Sequence, residues 1–135
     1  MAENIRLEVV TPEKSVVSES AQIVMAPGSL GEFGVLSGHT PFLTTLKTGA
    51  LKFKDESGSE HFVFVSSGFA EALPDRVTVL AESAERRKDI DVARAKKAAE
   101  RAEQRIQAGE KDTDFIRAKA ALLRAVSRIQ LADTL

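Results

Sequence analysis

The chain has no cysteine and only two histidines among its 135 residues. Without cysteine there is no disulfide framework, no thiolate zinc site and no cysteine nucleophile. His39 and His61 are too few and too separated to suggest a histidine metal cluster, so no metal site is expected. No apolar run approaches the roughly 20 residues of a membrane span. The first residues, Met-Ala-Glu-Asn, lack the basic and apolar regions of a signal peptide, which predicts an intracellular chain without direct membrane insertion. A net charge of −1 argues against a general nucleic-acid binder. What remains is 43% hydrophobic and 29% charged, the composition of an ordinary globular protein.

That average hides two different materials. Residues 1–83 hold all four prolines, seven of eight glycines and six of seven phenylalanines, with 6 basic and 11 acidic side chains, a net −5. Residues 84–135 have no proline, one glycine, and 13 basic against 9 acidic side chains, a net +4. Two structural units of opposite charge follow, placed at 1–84 and 85–135.

The front unit reads as short strands. Ile5, Leu7 and Val9 alternate with Arg6, Glu8 and Val10 up to Thr11-Pro12. Val16-Val17 and Ile23-Val24-Met25 follow, and Leu51 to Lys54 turns through Asp55-Glu56-Ser57-Gly58 into Phe62 to Val65. Ser67 to Leu73 and Val77 to Leu80 form another pair. Regular short strands with turn signals predict an all-β sandwich or barrel. The back unit reads as two helices joined at Gly109 to Asp114, with Asp89 or Asp91 able to cap the first. So short a connection predicts an antiparallel hairpin. Its expected inward stripes are Ala95, Ala98 or Ala99, Ala102 and Ile106 on one helix, and Phe115, Ala118, Leu122, Ala125 and Ile129 on the other. The whole is an α+β chain.

Four glycines in the stretch Gly28 to Gly38 resemble a phosphate cradle only in number, since their spacing matches neither nucleotide-loop pattern and no helix follows. Structural turns explain them. His39 has no sequence-assignable nucleophile or carboxylate partner and reads as a turn histidine, while His61 reads as part of a solvated strand face. No enzyme is indicated. The arginines of the back unit are more informative. Arg94, Arg101 and Arg105 recur at i, i+7 and i+11, and Arg117, Arg124 and Arg128 repeat the intervals. At 100° per residue each trio lies near one line on its helix. Two readings stand: a solvated face with intrahelical partners such as Glu100 and Glu103, or an anion-binding face.

The run Gly31-Glu32-Phe33-Gly34-Val35-Leu36-Ser37-Gly38-His39-Thr40-Pro41-Phe42-Leu43, then Leu46-Lys47-Thr48-Gly49, resembles the signature of the epsilon subunits of bacterial F-type ATP synthases. Val65 to Phe69, Val77 to Ala81 and Ile90 to Ala95 extend the resemblance over the chain. Ser37 stands where the family more often has proline.

The resemblance implies a sandwich of about ten strands followed by a helical hairpin. It also implies a non-catalytic central-stalk subunit, peripheral at the cytoplasmic face of the bacterial cell membrane. Such a subunit joins the gamma subunit to the membrane rotor ring of a proton- or sodium-translocating synthase. Glu32, Phe33, Ser37, His39 and Phe42 would then face gamma and the ring. The mobile tail would inhibit ATP hydrolysis by placing Arg117, Lys119, Arg124 and Arg128 near an acidic loop of beta, within reach of alpha and beta. Ile90-Asp91-Val92-Ala93-Arg94-Ala95 is similar to the nucleotide motif of some members. By that likeness Ile90, Asp91, Arg94, Ala95, Arg101, Arg124 and Arg128 would hold ATP, with or without magnesium, as a regulatory ligand and not as a required cofactor. The competing expectation is a free-standing β-sandwich scaffold whose helical tail dimerises.

Overall fold

The computed structural model describes residues 3–134. The chain divides into two compact units, Met1–Arg86 and Arg87–Leu135.

Among the described residues the first unit contains seven strands: β1 (Ile5–Val10), β2 (Ser15–Gly28), β3 (Gly31–Val35), β4 (Phe42–Leu46), β5 (Gly49–Asp55), β6 (Glu60–Leu73) and β7 (Arg76–Arg86). β1 pairs in parallel with β7 and antiparallel with β2, β2 pairs with β5, β5 with β6, and β6 with β7. The sheet therefore closes on itself. β3 and β4 add to the β2 and β6 edges at one end. Closure encloses one core, in which Leu7, Val9, Val24, Val35, Leu51, Phe53, Val63, Val65, Val77 and Val79 have no exposure. Each such side chain stabilises the fold by about 1.5–3 kcal/mol relative to leaving it in water.

Seven strands stand where about ten were expected. Ser66-Ser67-Gly68 reads as a break in sequence, yet β6 runs through it without interruption. On its first half β6 pairs with β5, and on its second half with β4. Ser67 takes a positive φ of 55° at the change of partner. A Cβ at Gly68 would collide with the Leu80 carbonyl of β7, so the close approach of the two strands requires glycine there. β2 likewise joins two expected strands into one of 14 residues. β7 continues to Arg86, so the sheet takes in Glu85 and Arg86, two residues past the expected boundary.

The second unit opens with a 3-10 turn (Arg87–Asp89), followed by α1 (Val92–Ala108) and α2 (Phe115–Ala132). Asp91, not Asp89, caps α1, its Oδ1 accepting from the Arg94 backbone N–H at 3.1 Å. Asp114 caps α2 in the same way, accepting from the Arg117 N–H at 3.0 Å. Gly109 ends α1 at φ 58°, the left-handed conformation that glycine adopts without a Cβ clash. Ala95 and Ala102 are buried on α1, and Ala118, Ala125 and Leu131 on α2. Phe115, expected in the inward stripe, is 41% exposed. It occupies the first position of α2, where one turn more or less decides whether a side chain meets α1. Leu131 supplies bulk at the other end instead.

Candidate functional site

Three groups of side chains stand out, two in the sheet unit and one in the hairpin. The first lies between β3 and β4. The turn after β3 is tied down by Gly38 N–H donating to Pro74 O at 2.8 Å and His39 N–H to Leu36 O at 3.1 Å, with Gly38 at φ 83°. That turn brings Phe33, His39 and Phe42 together. The Phe33 and Phe42 rings meet edge to face at 5.0 Å, and His39 meets Phe42 at 5.1 Å. His39 Nδ1–H donates to Thr40 O at 2.7 Å, a local turn contact that fixes the ring. Among the described residues no carboxylate or hydroxyl partner of His39 is found. In the same stretch of chain Leu30, Leu36 and Leu43 are exposed, Leu30 fully. Glu32 is exposed and Ser37 half-buried on the same stretch. Exposed leucines of this size are features suited to protein contact.

The second group was only partly legible in the sequence. His61 is not on a merely solvated face. Its Nε2–H donates to Asp55 Oδ2 at 2.8 Å, and its ring stacks on Phe53 at 4.8 Å. Asp55 Oδ1 also accepts from Ser57 N–H (2.9 Å), Ser57 Oγ–H (2.7 Å) and Ser59 N–H (3.0 Å), which builds the β5–β6 turn. The His61 hydrogen bond first, then those of Ser57 and Ser59, hold the Asp55 carboxyl well below the usual carboxylate range. Glu19 on β2 lies beside this pair and accepts from Arg86 Nη2 at 2.9 Å. Asp55 and His61 flank a hairpin turn, and Phe53 is registered opposite His61, a cross-strand cue that was present in the sequence. Glu19 and Arg86 are 67 positions apart and left no local signal.

The third group is the arginines of the hairpin. Arg94, Arg101, Arg105 and Arg117 are exposed, and Arg124 and Arg128 half-buried. Among the described residues Arg94, Arg101, Arg105, Arg117, Arg124 and Lys119 make no ion pair. The expected partners Glu100 and Glu103 do not reach them, nor does Asp91 pair with the Arg94 side chain. Arg101 and Arg105 open onto one cleft of about 210 Å³ with Gln104, Ala108, Glu110 and Thr113. Ile90, Asp91, Arg94, Ala95, Arg124 and Arg128 do not line it; Ile90 and Ala95 are buried. Of the residues expected to hold a nucleotide, Arg101 alone faces this cleft. The hairpin thus carries several guanidinium groups with no protein anion satisfying them, the electrostatic condition for taking up an external one. Among the described residues no helix is long and apolar enough to cross a membrane.

Comparison with known proteins agrees with this division. Residues 4–87 match the family described as "ATP synthase, Delta/Epsilon chain, beta-sandwich domain", and residues 88–133 its "long alpha-helix domain". An ATP synthase epsilon chain of Desulfosudis oleivorans is 70% identical over 109 residues, covering 81% of this chain and 82% of the relative. That of Desulfatibacillum aliphaticivorans is 67% identical over 110 residues, covering 82% and 78%. Among solved structures, a chain of the Euglena gracilis mitochondrial ATP synthase (OSCP/F1/c-ring) superposes with a TM-score of 0.79 at 25% identity, covering 92% of this chain and 78% of that one. A Tetrahymena thermophila chain from a central stalk and c-ring structure shares the fold at a TM-score of 0.57 and 18% identity, over 97% and 95% of the two chains. With both units matched and identity this high to bacterial relatives, the chain belongs to the ATP synthase delta/epsilon family, among its epsilon chains.

Proposed function

We propose that this chain is a non-catalytic rotor subunit of a bacterial F-type ATP synthase. In this reading the sheet unit joins the gamma subunit to the membrane ring, and the complex holds the chain at the cytoplasmic face of the cell membrane. The hairpin restrains ATP hydrolysis and takes ATP as a regulatory ligand. The observation that carries the reading is the contrast between the units. One carries an ordered aromatic cluster of Phe33, His39 and Phe42 with exposed Leu36 and Leu43 in the same stretch of chain, and the other presents unpaired cations on helices held by small contacts. The first suits a permanent protein partner, and the second an exchangeable anionic one.

For ATP, the residues fit in charge and partly in placement. Arg94, Arg101 and Arg124 are uncommitted, and so available to phosphate oxygens. Asp91 spends one carboxylate oxygen on capping α1, which leaves the other for a ribose or base hydrogen bond. Arg117, Lys119, Arg124 and Arg128 are the side chains that would meet an acidic loop of beta. Arg124 and Arg128 thus serve either ligand, so ATP and beta would compete for them.

Reconstitution decides the reading. Replacing the full chain by residues 1–86 in the assembled synthase should leave binding to gamma intact and raise ATP hydrolysis. Retained assembly with unchanged hydrolysis would remove the inhibitory role. Loss of gamma binding by the full-length variants Leu43→Glu and Phe42→Ala, and not by Arg124→Ala, would locate the stalk contact. Full binding by all of them would overturn it.

A further inference from the structure

We infer that Glu19, Asp55 and His61 form a binding site for a divalent transition-metal cation of the zinc class. The three residues come from β2, β5 and β6, and one ligand atom from each lies within 4.8 Å of those from the other two. One imidazole with two carboxylates is a donor set for zinc, cobalt or nickel; magnesium and calcium prefer oxygen alone. With bonds of about 2.0–2.2 Å, tetrahedral ligand atoms stand about 3.3 Å apart. His61 Nε2 and Asp55 Oδ2 are 2.8 Å apart, so opening by roughly half an ångström admits a metal between them. A cation on Nε2 requires that nitrogen's lone pair, so the proton it holds toward Asp55 moves to Nδ1 in a neutral ring, or to solvent where both ring nitrogens carry one.

What surrounds these atoms orients them. The far oxygen of Asp55 is fixed by two backbone N–H groups and the Ser57 hydroxyl. The stacked Phe53 ring sets the plane of His61. Arg86 Nη2 takes Glu19 Oε2, and its Nε is tied to Val16 O at 3.2 Å. Among the described residues Glu19 Oε1 accepts no hydrogen bond and is left for a metal. Support of this kind holds ligands in orientation and typically changes metal affinity about 10–100-fold. Arg86 is also the opposing charge in contact with the cluster. Two carboxylates outweigh it, and it engages one of the two Glu19 oxygens. A cleft of about 490 Å³ bordered by Arg6, Ser18, Glu19, Ser20, Asp55 and Ser57 reaches the two carboxylates and has room for water, while His61 is not part of its lining.

The test uses the full chain, free of any histidine tag, stripped with chelator and titrated with Zn²⁺ by calorimetry and with Co²⁺ by visible absorption. One equivalent should bind, with the Co²⁺ ligand-field bands of a four- or five-coordinate site. His61→Ala and Glu19→Gln should each lower affinity at least about 10-fold, while His39→Ala leaves it unchanged. If His61→Ala fails to fold, Glu19→Gln and Asp55→Asn carry the comparison. Absence of saturable binding, or equal affinity in wild type, His61→Ala and Glu19→Gln, would overturn the assignment.

Discussion

Asp55 shows how much one side chain organises. Its carboxylate closes the β5–β6 turn, takes the His61 ring nitrogen, and stands beside Glu19. The hydrogen bonds from His61, then from Ser57 and Ser59, favour the ionised form and outweigh the opposing desolvation, so the folded carboxyl titrates below the unfolded one. The stabilisation is fully present above the ordinary carboxylate range and fades as pH falls through it toward the lower folded value. In chelator-treated protein, Asp55→Asn should therefore lower the urea midpoint at pH 7, and the gap from wild type should narrow by pH 3. A gap equally wide at both values would mean that the carboxylate charge contributes nothing. The sequence showed Asp55 as a turn residue and His61 as a surface one. That they are partners depends on register across the hairpin, and a single residue of slip would have put them on opposite faces.

Among the secondary-structure elements, the helices were more legible than the strands. α1 and α2 announce themselves through capping aspartates, a terminal glycine and a polar connection, all of which are local. The strands β2 and β6 do not, because Ser66-Ser67-Gly68 reads as punctuation although it serves a close crossing of β6 and β7. The helix cap also bears on the proposed ligand. Asp91→Ala removes the cap and should destabilise the hairpin by roughly 0.5–2 kcal/mol, and it confounds loss of ATP binding with loss of helix. Asp91→Ser keeps a capping oxygen. Calorimetric titration with ATP should thus show weaker binding in Asp91→Ser, Arg94→Ala and Arg124→Ala at unchanged helicity by circular dichroism. Wild-type affinity in all three would remove the nucleotide from this face. Arg105→Ala separates the cleft shared with Arg101 from the expected site, since it alters that cleft alone.

For the whole molecule, the two units differ in what holds them. The sheet closes around fully buried valines, leucines and phenylalanines, whereas the hairpin buries mostly alanine. A buried methyl contributes about 0.8 kcal/mol, and ordering one residue's backbone costs about 1–2 kcal/mol. The hairpin should therefore be held less firmly than the sheet, and a ligand at 100 times its dissociation constant would add roughly 2.7 kcal/mol to the form it binds. The sheet needs no such help, but its end matters. Arg86 is the last residue of β7 and bonds both Val16 O and Glu19 from there. A chain ending at Arg86 should melt cooperatively on its own. One ending at Ala84 should melt at a lower temperature, because it leaves the Glu19 carboxylate beside Asp55 without its cation. Identical melts for the two lengths would show that the Arg86 contacts contribute nothing. Absence of a cooperative transition in the longer one would show that the sheet depends on the hairpin after all.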